Sequence, residues 1–291
     1  MIEIRRLEDK CNQCMLCVRE CVSGVFRDVD GIPTVVDPRA CNLCSHCVAI
    51  CPKNAIEHSG LDLGQVRRVD NKIQDPEVFA EIVRTRRSVR AYKDKPVPRE
   101  VLEQIIGLAK YSPTASNTQH VEYVVVTDRD LIKRVADRIF SYGERFADWT
   151  HTKKGKLVFG AVNAIAPKAN LGRYVEGMDH YKEDVAKGKD IILHNAPALV
   201  LIHAPAKAPF ACDNCNIAAA NITSYAHALG LGTCYIGFLT LTLRLNKGMR
   251  RELGIPKGNK AFVSLVMGYP AYKFKRITAR KEPSVTWIGA A

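Results

Sequence analysis

Between Cys11 and Cys51 the chain places two runs of identical spacing, Cys11-x2-Cys14-x2-Cys17-x3-Cys21 and Cys41-x2-Cys44-x2-Cys47-x3-Cys51, the second closed by Pro52. Three thiolates two residues apart reach three corners of an iron–sulfur cube from one tight loop, and the fourth is aimed away from that cube. In two-cluster arrangements the fourth thiolate ligates the other cluster. The spacing therefore predicts one [4Fe–4S] cluster on Cys11, Cys14, Cys17 and Cys51, and a second on Cys41, Cys44, Cys47 and Cys21. Disulfide frameworks suit small secreted chains, and no n-region, apolar h-region and cleavage site open this one. Zinc usually takes two Cys-x2-Cys pairs instead of two runs of four.

Residues 1–60 thus resemble a bacterial-type ferredoxin carrying two clusters; Val22 stands where a proline often follows the fourth Cys. The 291 residues leave ample room for one further domain. No apolar run is long enough to span a membrane, and eleven Cys without a secretion signal predict a reducing cytoplasm. Residues 1–60 hold 7 Lys+Arg against 8 Asp+Glu, and the remainder 36 against 22. Each cluster with its four thiolates adds about −2 to the small module. A basic domain behind an acidic electron-carrying one suits an anionic cofactor and an acidic redox partner. No aromatic-interleaved basic stretch accompanies the excess, so nucleic acid is not expected as a partner.

Residues 61–75 read as a linker, and 76–291 as the second domain. Asp75-Pro76 looks like a cap with proline at the first helical position. Helices are predicted over Pro76–Arg87, Val101–Tyr111, Asp130–Phe140, Cys212–Leu229 and Leu241–Leu253, and strands over Val121–Val126, Ala198–His203, Thr233–Ile236 and Ala261–Met267. Residues 141–190 carry no sustained period and read as a variable insertion or lid. Residues 271–291 form a basic C-terminal arm. The fold class is α+β, and no G-x-G-x-x-G follows a strand to indicate a nicotinamide-binding Rossmann domain.

Four segments of this domain share a chemical theme. Arg86-Arg87-Ser88-Val89-Arg90 offers guanidinium groups able to grip a phosphate. Ser112 to Gln119 is a turn dense in hydroxyls and amides. Gly230 to Gly237 lets backbone approach a planar ligand, and Lys275, Arg276 and Arg280 supply cations near the end. The motifs R-R-S-V-R-A-Y, S-P-T-A-S-N-T-Q, G-L-G-T-C-Y-I-G and M-G-Y-P, in this order, resemble the nitroreductase family of FMN enzymes over about residues 76–282. The likeness is greatest to members fused to a two-cluster ferredoxin. His120 stands where the family often has proline followed by an aromatic.

The resemblance implies a homodimer with FMN in two interfacial clefts, a central mixed sheet flanked by helices, and C-terminal arms exchanged between protomers. By position, Arg86, Arg90 and either Arg276 or Arg280 would hold the FMN phosphate. Arg87, Ser88, Thr114, Ser116 and Asn117 would meet the ribityl chain and ring edge, and the N–H groups of Ile236 and Gly237 the N5 region. No nucleophile–base pair is evident, so no catalytic acid is named. Cys212-x2-Cys215 reads as packed thiols and not as half a metal site, and His194 and His203 read as hydrogen-bonded structure.

The expected activity is a relay. Clusters take single electrons from an acidic carrier such as ferredoxin or flavodoxin, and FMN reduces a small organic acceptor of nitro, quinone or enone type by hydride transfer. Two alternatives stay open: an NAD(P)H-dependent flavin reductase using the clusters as an outlet, and an electron-transfer subunit with no substrate of its own.

Overall fold

A computed structural model describes residues 2–165 and 172–289. The chain divides into two compact units, Met1–Asp75 with Pro113–Gln119, and Pro76–Ser112 with His120–Ala291.

The first unit is built on a repeat. Strand β1 (Ile4–Arg6), helix α1 (Leu16–Glu20), the hairpin β2 (Phe26–Val29) and β3 (Ile32–Val35), helix α2 (His46–Ile50) and β4 (Ile56–His58) follow in order. β1 pairs antiparallel with β4 and β2 with β3. Ile4, Cys17, Val25, Phe26 and Ile56 form a small core, against which Cys21, Cys41, Cys47 and Cys51 pack. So little apolar area makes a marginal domain on its own, and such modules draw stability from bound metal.

The second unit contains α3 (Pro76–Thr85), α4 (Arg99–Ala109), β5 (Glu122–Val126), α5 (Arg129–Thr150), α6 (Lys153–Ile165), α7 (Gly172–Glu176) and α8 (Met178–Ala186). β6 (Ala198–Pro205), α9 (Ala211–Ala228), β7 (Gly232–Tyr235), α10 (Gly237–Leu245), α11 (Lys247–Glu252) and β8 (Asn259–Gly268) complete it. The sheet runs β5-β6-β8-β7 with antiparallel pairings throughout. Among the described residues its parallel component is the bridge from Ser88 to Thr233.

β6 explains the layering. Its side chains alternate between two cores: Leu199 and Leu201 join α5, α10 and α11, whereas Ala198, Val200 and Ile202 join α4 and α9. Helices cover both faces, which is why this strand reads as an unbroken apolar run instead of an alternation.

Three sequence expectations change. The segment expected as one helix over Leu241–Leu253 is two, because Asn246 leaves helical geometry and its side chain accepts the Met249 N–H to cap α11. The helix expected to end at Phe140 continues to Thr150. The stretch 141–190 is largely helical among the described residues, its positions 166–171 lying outside them. No described helix is long and apolar enough to cross a membrane.

Candidate functional site

In the first unit the eight thiols fall into two sets. Cys11, Cys14, Cys17 and Cys51 line one cavity, and Cys21, Cys41, Cys44 and Cys47 line another, so each set draws three members from one run and one from the other. The exchange follows from the short helices α1 and α2, each of which carries the third thiol of its run near its start. The fourth thiol ends the helix and joins the opposite set.

The backbone between ligands suits an anionic cluster. Gln13 and Met15 in one run, and Leu43 and Ser45 in the other, adopt left-handed φ between 55° and 61°. Such alternation is the geometry of anion-binding nests. The N–H groups of Val25 and Ala55 donate to the Cys21 and Cys51 sulfurs, and that of Leu43 to Cys41. Burial pushes the Cys47 thiol up to about 11 and raises that of Cys17, so as thiolates they need a cationic partner. Among the described residues no three His, Cys, Asp or Glu side chains converge on a single-ion site. Four thiols ringing a cavity fit a polynuclear cluster; a lone zinc ion would draw its ligands to one point.

In the second unit the Arg-rich segment is laid along β7. Val89 is buried, its N–H donates to the Thr233 carbonyl, and Ser88 bridges to the same residue. Alternation along this extended stretch sends Ser88 and Arg90 the other way. There burial raises the Cys234 thiol, against hydrogen bonds from Ser88 and Arg90 and the Arg90 charge. The charges of Arg86 and Arg87 act on His227, whose ring burial already holds below the usual imidazole range. Arg87 Nη1 donates to the Arg84 and Arg86 carbonyls, whereas its Nε is buried with no partner among the described residues. A buried donor of this kind requires an acceptor from outside.

The glycines of Gly230 to Gly237 have separate reasons. Gly230, with φ +78°, ends α9 in a Schellman motif, the Leu231 N–H donating to Ala226 and the Gly230 N–H to His227. A Cβ on Gly232 would lie 2.5 Å from Val89 Cγ2. Gly232→Ala is therefore expected to cost about 1–3 kcal/mol by overpacking, read as a lowered thermal midpoint, and to loosen the seat of Ser88 and Arg90.

The expectation that the N–H groups of both Ile236 and Gly237 are available is corrected for Ile236. The Ile236 N–H donates to the Ser264 carbonyl, because β8 runs past it in register. The Gly237 N–H opens α10, where no carbonyl one turn earlier can take it. Ile236, Gly237, Tyr235, Arg244 and Asn216 line a surface pocket.

Thr114, Ser116 and Asn117 fall in the first unit. The Thr114 hydroxyl accepts the Gln119 N–H, Ser116 is exposed with φ 52°, and the Asn117 amide donates to the Asn42 carbonyl. Arg276 and Arg280 lie on the exposed, extended tail and make no ion pair among the described residues. His203 accepts a hydrogen bond from Asn259. The Cys215 thiol is buried and pushed up to about 12 by that burial, while Cys212 is exposed.

Residues 83–269 match the model of the Nitroreductase family, and residues 10–56 that of the 4Fe-4S dicluster domain. The chain belongs to the nitroreductase family. A protein of Methanothermobacter thermautotrophicus, provisionally named NADH dehydrogenase/NAD(P)H nitroreductase, is 27% identical to this family member over 203 residues, which are 70% of this chain and 82% of the other. The FMN reductase [NAD(P)H] of Bacillus subtilis is 28% identical over 186 residues, 64% of this chain and 63% of that one. The crystal structure of a nitroreductase with bound FMN from Bacteroides fragilis superposes with a TM-score of 0.54 at 20% identity, covering 74% of this chain and all of the other. The α+β fold of the nitroreductases, preceded by a ferredoxin-type module, is therefore the fold of this chain.

Proposed function

We propose that this nitroreductase-family protein is an FMN oxidoreductase whose N-terminal module holds two [4Fe–4S] clusters and feeds electrons to the flavin. The observation that carries this reading is the gathering of eight thiols into two mixed sets of four on the same chain as a nitroreductase-family domain. When bound, the clusters would supply one-electron transfer and FMN two-electron chemistry, the two electrons together with a proton from solvent making the hydride given to an acceptor of nitro, quinone or enone type.

The residues supply position and charge. Cys11, Cys14, Cys17 and Cys51 hold one cluster; Cys21, Cys41, Cys44 and Cys47 hold the other. Arg86 and Arg90, with Arg276 or Arg280 from a tail, neutralise the FMN phosphate. Arg87, through its unpartnered Nε, and Ser88 bond the ribityl chain and ring edge, and the Gly237 N–H faces the ring. The excess of Lys and Arg beyond residue 60 favours an acidic electron donor such as ferredoxin or flavodoxin.

Two copies are expected to assemble. The tail exposes Tyr272, Phe274, Ile277, Trp287 and Ile288, the last two almost entirely, and α3 exposes Val78, Phe79 and Val83. Apolar surface of that extent calls for a partner, and arms exchanged between protomers would cover it.

A second reading rests on the names of the relatives: hydride arrives from NAD(P)H at the flavin, and the clusters are an outlet. Protein purified without oxygen is expected to carry about eight irons and one FMN per chain. Its flavin band should bleach on addition of reduced ferredoxin and not of NADPH. Bleaching by NADPH alone would favour the second reading, and absence of flavin would overturn both.

A further inference from the structure

The two thiol sets are nearly copies of each other, thirty residues apart, and one side chain breaks the likeness. Cys21 and Cys51 accept equivalent N–H groups from Val25 and Ala55, and Met15 and Ser45 share the same left-handed turn. On β4, however, His58 is 4% exposed, with its Nε2 3.3 Å from the Cys41 sulfur. The equivalent position on β2 is Asp28, an exposed residue whose carboxylate accepts the Gly31 N–H. Among the described residues no side chain hydrogen-bonds to Cys11, Cys14 or Cys17.

The His58 ring has its proton placed by the backbone. The Gly60 N–H donates to Nδ1 at 3.1 Å, so Nδ1 is the lone-pair nitrogen and Nε2 bears the hydrogen. A Cβ on Gly60 would lie 3.3 Å from His58 Cε1, so a glycine there leaves room for the ring, and the alternation of β4 turns His58 inward between exposed neighbours. The imidazole is thus a fixed donor aimed at one sulfur.

We propose that His58 donates its Nε2–H to the Cys41 thiolate and thereby makes the cluster on Cys21, Cys41, Cys44 and Cys47 the more easily reduced of the two. This rests on the reading of the thiol sets as [4Fe–4S] sites. A hydrogen bond to a ligand sulfur stabilises negative charge there, and reduction adds one negative charge to the cluster, so the reduced form gains more than the oxidised one. In the other set the Ala55 N–H donates to Cys51 with no side-chain donor beside it among the described residues, so the gain is one-sided. His58 is accordingly a tuning residue, and one electron supplied by an external reductant settles on the second set.

The test is an anaerobic potentiometric titration followed by EPR, with dithionite as reductant. Two waves are expected, and the wave missing from a Cys44→Ala variant should be the one at higher potential. Replacing His58 by phenylalanine should lower that wave and leave the other in place. A lost hydrogen bond to a charged group corresponds to a change of up to about ten-fold in the reduced-to-oxidised ratio at fixed potential, ~59 mV for a one-electron couple. His58→Gln, which keeps an N–H donor, should recover part of the shift. A merely structural role would instead lower iron content or move both waves together. The proposal is overturned if Cys44→Ala removes the lower wave, or if His58→Phe with full iron leaves both potentials unchanged. Fewer than about four irons per thiol set in the unaltered protein would count against the cluster reading itself, a separate result.

Discussion

Cys51→Ala protein is expected to lose the same cluster as Cys14→Ala protein, although the two cysteines belong to different sequence runs. The two side chains line one cavity together with Cys11 and Cys17, and the helix that ends at Cys51 aims its last thiol across the module. Iron should fall from about eight to about four per chain in both variants. Their residual EPR spectra should coincide, and the complementary pair Cys21→Ala and Cys44→Ala should show the other spectrum. Carrier-driven bleaching of the flavin should stop in all four, while turnover with dithionite persists. If Cys51→Ala matched Cys44→Ala instead, each run would hold its own cluster and the exchanged arrangement would be wrong.

The second large effect concerns the Arg-rich segment. Arg86→Ala should weaken FMN retention by about ten- to a hundred-fold, since a charge-assisted bond to phosphate contributes roughly 1.5–3 kcal/mol. Arg86 is half-buried, and its charge reaches both His227 and Tyr235, which places the guanidinium beside the end of β7. The matching control is Arg84→Ala. Arg84 is an exposed residue near the end of α3 that faces Glu77 at 3.9 Å, and its substitution leaves intact the carbonyl that Arg87 uses. Flavin content measured after gel filtration should fall in the first variant and hold in the second. Equal retention in both would remove Arg86 from the phosphate site.

Much of this was legible in the residues because the governing forces are local. Cysteine spacing is a loop property, so the sorting of the eight thiols into two mixed sets of four could be read before any fold was known. β6 was visible because both its faces are buried, which leaves an apolar run that only a core strand or helix tolerates. The region 141–190 was not visible. Its helices mix aromatic, charged and glycine positions, and Gly143, Gly155 and Gly160 interrupt the apolar stripe that a periodic reading needs. The commitment of the Ile236 N–H to Ser264 depends on the register of β8 against β7, a long-range fact with no local signature. His58 carried a faint one: aligning the two cysteine runs sets it opposite Asp28, and a histidine replacing a surface carboxylate at a repeat position marks an asymmetry worth testing.

The hydrogen bond from Asn117 to the Asn42 carbonyl bears on how such a chain can be divided. Pro113–Gln119 comes from the middle of the second domain's sequence yet belongs to the first compact unit. A cut after Asp75, the obvious place in the sequence to separate a ferredoxin from an enzyme, would strip that heptapeptide of the surroundings in which it is held. The first compact unit is therefore assembled from two separate stretches of the chain. A separately produced ferredoxin-type module would lack one of those stretches.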